Sequence, residues 1–136
     1  MITIRAVSLD NTGLSSVICG AIGNPTPEKV LEVIESYNNL DNEIIGAFMD
    51  DILVGILGLC KKSDTMTIRH IGVLLVYQIQ GIGTLLIDEI KKRFEYCKIS
   101  VETDEESVDF YAKSGFVCHV FKSQYGNLRY KCDYII

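Results

Sequence analysis

The chain is short of positive charge. Thirteen Lys and Arg stand against 18 Asp and Glu, for a formal net charge of −5. A general nucleic-acid binder needs a basic face, so no nucleic-acid partner is expected. The acidity is compatible with a cationic acceptor and equally with simple solubility. Long apolar runs are missing too. The longest, Val73 to Val76 with Ile71 and Gly72 ahead of it, is far below the roughly 20 residues of a membrane span. No membrane association is therefore expected. The start, Met1-Ile2-Thr3-Ile4-Arg5, lacks the basic stretch, apolar core and cleavage site of a signal peptide, and a cytoplasmic location is expected. The cysteines Cys19, Cys60, Cys97, Cys118 and Cys132 are odd in number and form no CxxC pair. They predict neither a disulfide framework nor a zinc site, only small buried hydrophobes in a reducing compartment.

What is present is a globular composition. Hydrophobic residues make up 48% and charged residues 23% of the 136 positions. That length suits one domain, residues 1–136, burying roughly two-thirds of its unfolded surface. Ile2 and Ile4 alternate as a first strand, and residues 9–23 give a weak helical pattern. Thr26-Pro27-Glu28 reads as an N-cap, a proline at the first helical position and an acid in the first turn. Val30, Leu31, Val33, Ile34 and Tyr37 carry that helix to Asn38. Strands are expected at 43–49, 52–61 and 65–75, with Asp50-Asp51 and Lys61-Lys62-Ser63-Asp64 as their turns. The last of the three becomes fully apolar at its end, as a strand covered on both faces does.

A helix follows to about residue 95, with Ile82, Leu85, Leu86, Ile90 and Phe94 on one face. Lys91, Lys92 and Arg93 in its last turns suit a solvated C-terminus better than a nucleic-acid patch. Lys98 to Val101 reads as a strand parallel to the preceding one. A helix opening near Asp104 carries Val108, Tyr111 and Ala112 and ends at Gly115. Strands at 116–123 and 127–135 close the chain around Tyr125-Gly126-Asn127.

The segment Gln78-Ile79-Gln80-Gly81-Ile82-Gly83-Thr84 stands between strand and helix. Its glycines permit a close backbone turn, and the first amides of the helix have no intrahelical partner. With the positive end of the helix dipole they suit a phosphate. The segment is not a P-loop, because no Lys-Ser/Thr follows at the required spacing. Nor is it a dinucleotide fingerprint, because Leu86 takes the place of the third glycine. On its own it also fits a plain strand-to-helix connection.

A second block, Phe110-Tyr111-Ala112-Lys113-Ser114-Gly115-Phe116, gives the turn a context. Strand, Gln-x-x-Gly-x-Gly, helix, strand and an aromatic-Tyr helix ending in Gly-Phe together resemble the GNAT superfamily of N-acetyltransferases. The likeness runs in register from Ile44 to Phe116. It implies an α/β (α+β) fold with a mixed, twisted central sheet of about six to seven strands flanked by helices. It also implies acetyl transfer from acetyl-CoA to a primary amine, on a small-molecule or peptide acceptor, by direct attack in a ternary complex without a metal. The alternative is a non-catalytic acyl-CoA-binding or regulatory domain of the same fold.

The resemblance assigns positions as well. Amides of Gln78, Ile79, Gln80, Gly81, Ile82, Gly83 and Thr84 would hold the pyrophosphate. The backbone of Ile71, Gly72 and Val73 would pair with the pantetheine arm as an added strand, with an N–H near Val73 polarising the thioester carbonyl. Asp104 and Ser107 lie where the family contacts that arm, though an Asn is common where this chain has Asp104. Ile79 stands where glycine is common, and Leu75 near a frequent proline. Tyr111 would stabilise the leaving thiolate, its alternative being a core aromatic beside Phe110 and Phe116. The general base stays open between His70 and Glu102. His119 reads as structural. Acceptor specificity is expected in residues 9–40 and the last hairpin, where Tyr37, Tyr125 and Tyr130 are candidates, and a late strand could pair across a homodimer.

Overall fold

A computed structural model describes residues 1–93 and 96–136, and at 79 and 80 the backbone only. Seven strands form one sheet: β1 (Ile2–Ala6), β2 (Asn42–Met49), β3 (Ile52–Lys62), β4 (Thr65–Val73), β5 (Lys98–Thr103), β6 (Val117–Lys122) and β7 (Leu128–Ile135). Their order across the sheet is β1-β2-β3-β4-β5-β7-β6. Neighbours are antiparallel except β4 and β5, which run parallel. A parallel pair needs a crossover, and α3 (Ile82–Lys91) supplies it.

The two sheet faces are covered by different helices. α1 (Leu14–Cys19) and α2 (Pro27–Ser36) place Leu14, Val17, Ile18, Val30 and Tyr37 against Ile44, Phe48, Leu53 and Ile56. α3 places Ile82, Leu86, Ile87 and Ile90 against Ala47, Leu57, Leu59, Met66 and Ile99 on the other face, where Tyr111 of α4 (Val108–Lys113) joins them. Burying side chains of this kind stabilises by roughly 1.5–3 kcal/mol each before entropy is counted. The expected cap is present, with Thr26 Oγ1 accepting from the Lys29 amide at 3.1 Å. Gly115 ends α4 at φ 93°, as the sequence suggests.

Several boundaries differ from expectation. The weak pattern over 9–23 yields only the six-residue α1. β4 stops at Val73, and Leu75 to Gln80 coil into a 3-10 turn that reverses direction at Gly81, φ 72°. An apolar run alone does not tell strand from turn. α4 opens at Val108 rather than near Asp104, because the Asp104 carboxylate accepts from the Ser107 amide at 2.9 Å and holds a turn. Phe94 lies outside the described residues.

The basic cluster after α3 is less solvated than expected. Arg93 makes a two-pronged contact with Glu43 at 2.9 and 3.1 Å, and Lys61 reaches the same carboxylate at 2.9 Å. These cations, Arg93 first, hold the Glu43 carboxyl down at about 2. Lys91 sits 4.5 Å above the Tyr134 ring. The cysteine reading is also corrected. Cys118 and Cys132 oppose each other across β6 and β7, Cα atoms 4.0 Å apart, and form a disulfide. Odd number and missing CxxC spacing carry no information about a pair brought together by hairpin register.

Candidate active site

The site arises where the sheet comes apart. β4 and β5 pair only at Thr65↔Lys98, Met66↔Ile99 and Thr67↔Ser100. Beyond Thr67, β4 continues to Val73 and β5 to Thr103 with no ladder between them. β4 is paired on its other side, to Val73↔Gly55, by β3. Its β5-facing edge at Ile71, Gly72 and Val73 therefore offers backbone groups to an extended ligand, as a sheet edge does.

At the mouth of this gap stands the glycine turn. Gln78, Gly81, Gly83 and Thr84 line a cavity of about 450 Å³ together with Ile71, Gly72, Val73, Ser107 and Phe110. Gln78 Nε2 donates to the Val73 carbonyl at 3.1 Å, tying the turn to the end of β4. Gly81 adopts a left-handed conformation and has open space where a side chain would stand. At Gly83 a Cβ would come within 3.3 Å of the Phe110 ring. Ile82, expected here from the sequence, has its side chain fully buried in the core and is not among the residues lining the cavity. Open space over a helix start, with glycine where the approach is closest, fits a pyrophosphate. Ile79 and Gln80 lie in the 3-10 backbone of the turn.

A second cavity of about 320 Å³ adjoins it, with His70, Glu102, Asp104, Tyr111, Arg69 and Arg129 among its lining residues. Ile71 and Ser107 line both cavities. Of the residues expected from the sequence, the turn glycines, the β4 edge, Asp104, Ser107, Tyr111, His70 and Glu102 thus come together along one path. A larger cavity of about 510 Å³ lies apart, between α1 and α2. Glu102 and Arg129 also border a space of about 500 Å³ beside Tyr125 in the β6–β7 hairpin. Tyr130 packs instead against the core, and Tyr37 is buried beneath β4 against His70.

Tyr111 is 3% exposed and stacks edge-on with Phe110 at 5.1 Å and Phe116 at 5.5 Å. The aromatic packing and the cleft position hold together. Burial, with the nearby Asp104 charge, pushes its phenol up to about 12. His70 is pushed the other way, to about 4, by burial and then by Arg69. Its orientation comes from a bulge. Gly58 pairs with His70 but the next residue, Leu59, pairs with Ile68, leaving Arg69 extra. Met66 and Ile68 therefore face α3, whereas Arg69 and His70 both turn to Tyr37. Sequence reasoning missed Arg69, Phe110 and Arg129. Phe110 was detectable as the bulky neighbour of Tyr111 that a glycine at 83 accommodates, whereas nothing local marks Arg129.

A glycine turn at a helix start, a free strand edge and a polar cleft in line suit a class of domain that presents an extended, phosphate-bearing carrier to a second substrate. Residues 23–128 match the family model described as an acetyltransferase (GNAT) domain, and the chain belongs to that family. Solved structures with the same fold include a GNAT family acetyltransferase from Elizabethkingia anophelis with acetyl-CoA bound. It has a TM-score of 0.80 and 20% identity, over 99% of this chain and 98% of that one. An aminoglycoside 6'-N-acetyltransferase complexed with coenzyme A gives 0.82 and 18%, over 98% and 96%. A PaiA N-acetyltransferase from Thermoplasma acidophilum in complex with coenzyme A gives 0.72 and 20%, over 98% and 99%.

Proposed function

We propose that the protein transfers an acetyl group from acetyl-CoA to a primary amine within a ternary complex. The observation that carries this reading is the continuity of the path. It runs from the glycine turn, along the unpaired edge of β4, to Tyr111 and Glu102, through two cavities that share Ile71 and Ser107 in their walls. The turn amides and Gly81 hold the pyrophosphate, and Ile71 to Val73 hold the arm in extended form. The two cavities meet at Ile71 and Ser107, which is where the thioester belongs.

The amine nitrogen attacks the thioester carbonyl carbon, a C–N bond forms, and the C–S bond breaks to release the thiolate. An amine of lysine type near pKa 10.4 needs to lose a proton, at a cost of roughly 4–5 kcal/mol at neutral pH. Glu102, exposed at the cleft wall, takes it; its position among the cleft-lining residues supports that role, and Asp104 is a second carboxylate lining the same cavity. Tyr111 acts at the leaving sulfur. With its phenol at about 12 and a thiol near 8.5, handing over the proton is uphill by about 5 kcal/mol. Tyr111 therefore keeps its proton and stabilises the sulfur charge by donating a hydrogen bond. The acceptor enters from the side of Glu102, Arg129 and Tyr125.

Thiol release from acetyl-CoA, followed across a panel of primary amines, tests the reading directly. The expected result is acceptor-dependent release that Tyr111→Phe suppresses while CoA binding, measured by calorimetry, persists. Tight CoA binding with no release for any amine would replace the enzyme by an acyl-CoA-binding domain of the same fold.

A further inference from the structure

One cluster beside the cleft has no part in that scheme. Tyr37, at the C-terminal end of α2, is 6% exposed, and its hydroxyl lies 2.6 Å from His70 Nδ1. The two rings meet edge-on at 5.8 Å. Arg69 spreads over the Tyr37 ring at 4.7 Å and donates to Ser36 Oγ at 3.0 Å. The hydroxyl occupies the space over Gly58, the cross-strand partner of His70, where a Cβ would stand 1.8 Å away. Three elements thus grip one side of the imidazole, and its other side belongs to the cleft.

Proton placement follows from the donor and acceptor inventory. Burial pushes the Tyr37 phenol up to about 12, so it keeps its hydrogen. The Arg69 guanidinium beside it has no lone pair with which to accept that hydrogen. His70 Nδ1 is the acceptor within reach. A neutral imidazole carries one N–H, and with Nδ1 accepting, that N–H is on Nε2.

We propose that His70 serves the transfer as a neutral hydrogen-bond donor through Nε2–H, and that Tyr37 is the positioning residue that locks this tautomer. The proposal rests on the acyl-transfer reading of the cleft. It separates the roles of the two candidate bases: Glu102 takes the proton, and His70 gives a hydrogen bond to an oxygen. That oxygen belongs to the thioester carbonyl or to the acceptor. Groups facing the imidazole are Tyr37 from α2, Arg69 from β4, and Glu102, Asp104, Tyr111 and Arg129 of the cleft, with Cys60 of β3 acting electrostatically on Tyr37.

The test begins with the free protein. In 15N-histidine NMR the two histidines are told apart by the signal that His70→Gln removes. Wild-type His70 is expected as the Nε2–H tautomer at pH 7, and Tyr37→Phe is expected to give a tautomer mixture. An Nδ1–H form or an imidazolium at pH 7 would overturn the proposal. Activity supplies the second arm. Gln places an amide N–H near the Nε2 position, so His70→Gln should stay within about threefold of wild type while His70→Ala falls about tenfold or more. If His70→Gln instead matches His70→Ala and the acid limb of the pH profile vanishes in both, His70 is a base. A His70→Ala loss confined to kcat places the oxygen on the thioester, and a loss in acceptor KM places it on the acceptor. If no amine is acetylated by wild type, the acyl-transfer reading fails, whereas the NMR result still decides the tautomer.

Discussion

The parallel pair β4–β5 has two ends that behave oppositely. At the closed end, residues 65–67 and 98–100 are hydrogen-bonded in register, and Met66 and Ile99 are fully buried among α3 side chains. At the open end the ladder stops, and His70, Glu102, Asp104 and Tyr111 line the space between the strands. Side chains from both faces of the sheet meet there, which no intact sheet allows, because a paired sheet keeps its two faces apart. The closed end sets how far the strands diverge, and the open end uses the divergence.

The largest effect is expected at the closed end. Ile99→Ala removes a fully buried side chain and should cost about 2–5 kcal/mol by denaturant unfolding, with KM for acetyl-CoA nearly unchanged in the folded fraction. Tyr111→Phe should do the reverse. Turnover falls about 100-fold, close to 2.7 kcal/mol in barrier, while removal of one hydroxyl that lines the cleft leaves stability within about 1 kcal/mol. If Ile99→Ala and Tyr111→Phe affect turnover alike in folded protein, the division between the two ends is wrong.

A reductant probes the hairpin beside the open end. Breaking Cys118–Cys132 releases a cross-link spanning 14 residues, worth about 2–3 kcal/mol, and should lower Tm. Thiol titration of the unfolded chain should rise from the three free cysteines Cys19, Cys60 and Cys97 to all five. A count of five before reduction would remove the cross-link from the fold.

The smallest effect concerns charge at the far end of the same layer. Glu43 titrates at about 2 in the folded protein against 4.5 without its partners. Its depressed value contributes stability that is complete above pH 4.5 and lost as pH falls toward 2. Glu43→Gln should flatten that part of the Tm–pH curve, at a cost of less than about 1 kcal/mol at neutral pH because the pair is partly solvated. His70 adds a second step at higher pH. Its folded value of about 4 against 6.5 gives stability that is present above pH 6.5 and lost by pH 4, and His70→Gln should abolish it.

Much of this was readable from local chemistry. Gly81, Gly83 and the apolar run before them announce a turn at a helix start, and Gly115 announces the end of α4. What escaped was set by partners far along the chain. Period two places His70 with Met66 and Ile68. The bulge at Arg69 reverses that assignment, and its cause lies in the pairing with Gly58 and Leu59 on β3. The Cys118–Cys132 bond was within reach of the sequence. A hairpin turning at residues 124–126 brings 118 opposite 132, which cysteine count and CxxC spacing do not register. Arg129 offered no such handle, because its place in the cleft depends on how far β5 leans from β4.

Ile82 has a consequence for how such a protein can change. Its side chain is wholly inside the core, and its backbone opens α3 between Gly81 and Gly83, which line the cavity. Under the proposed reading, in which the turn amides hold the donor, a substitution that repacks the α3 side of the sheet shifts those amides as well, and core variation and donor affinity are inherited together at this position. One residue earlier, Gly81 faces open space. On the same proposal, adaptation toward a different carrier has the freer route through 81, and drift in the core is restrained by what it does at 82.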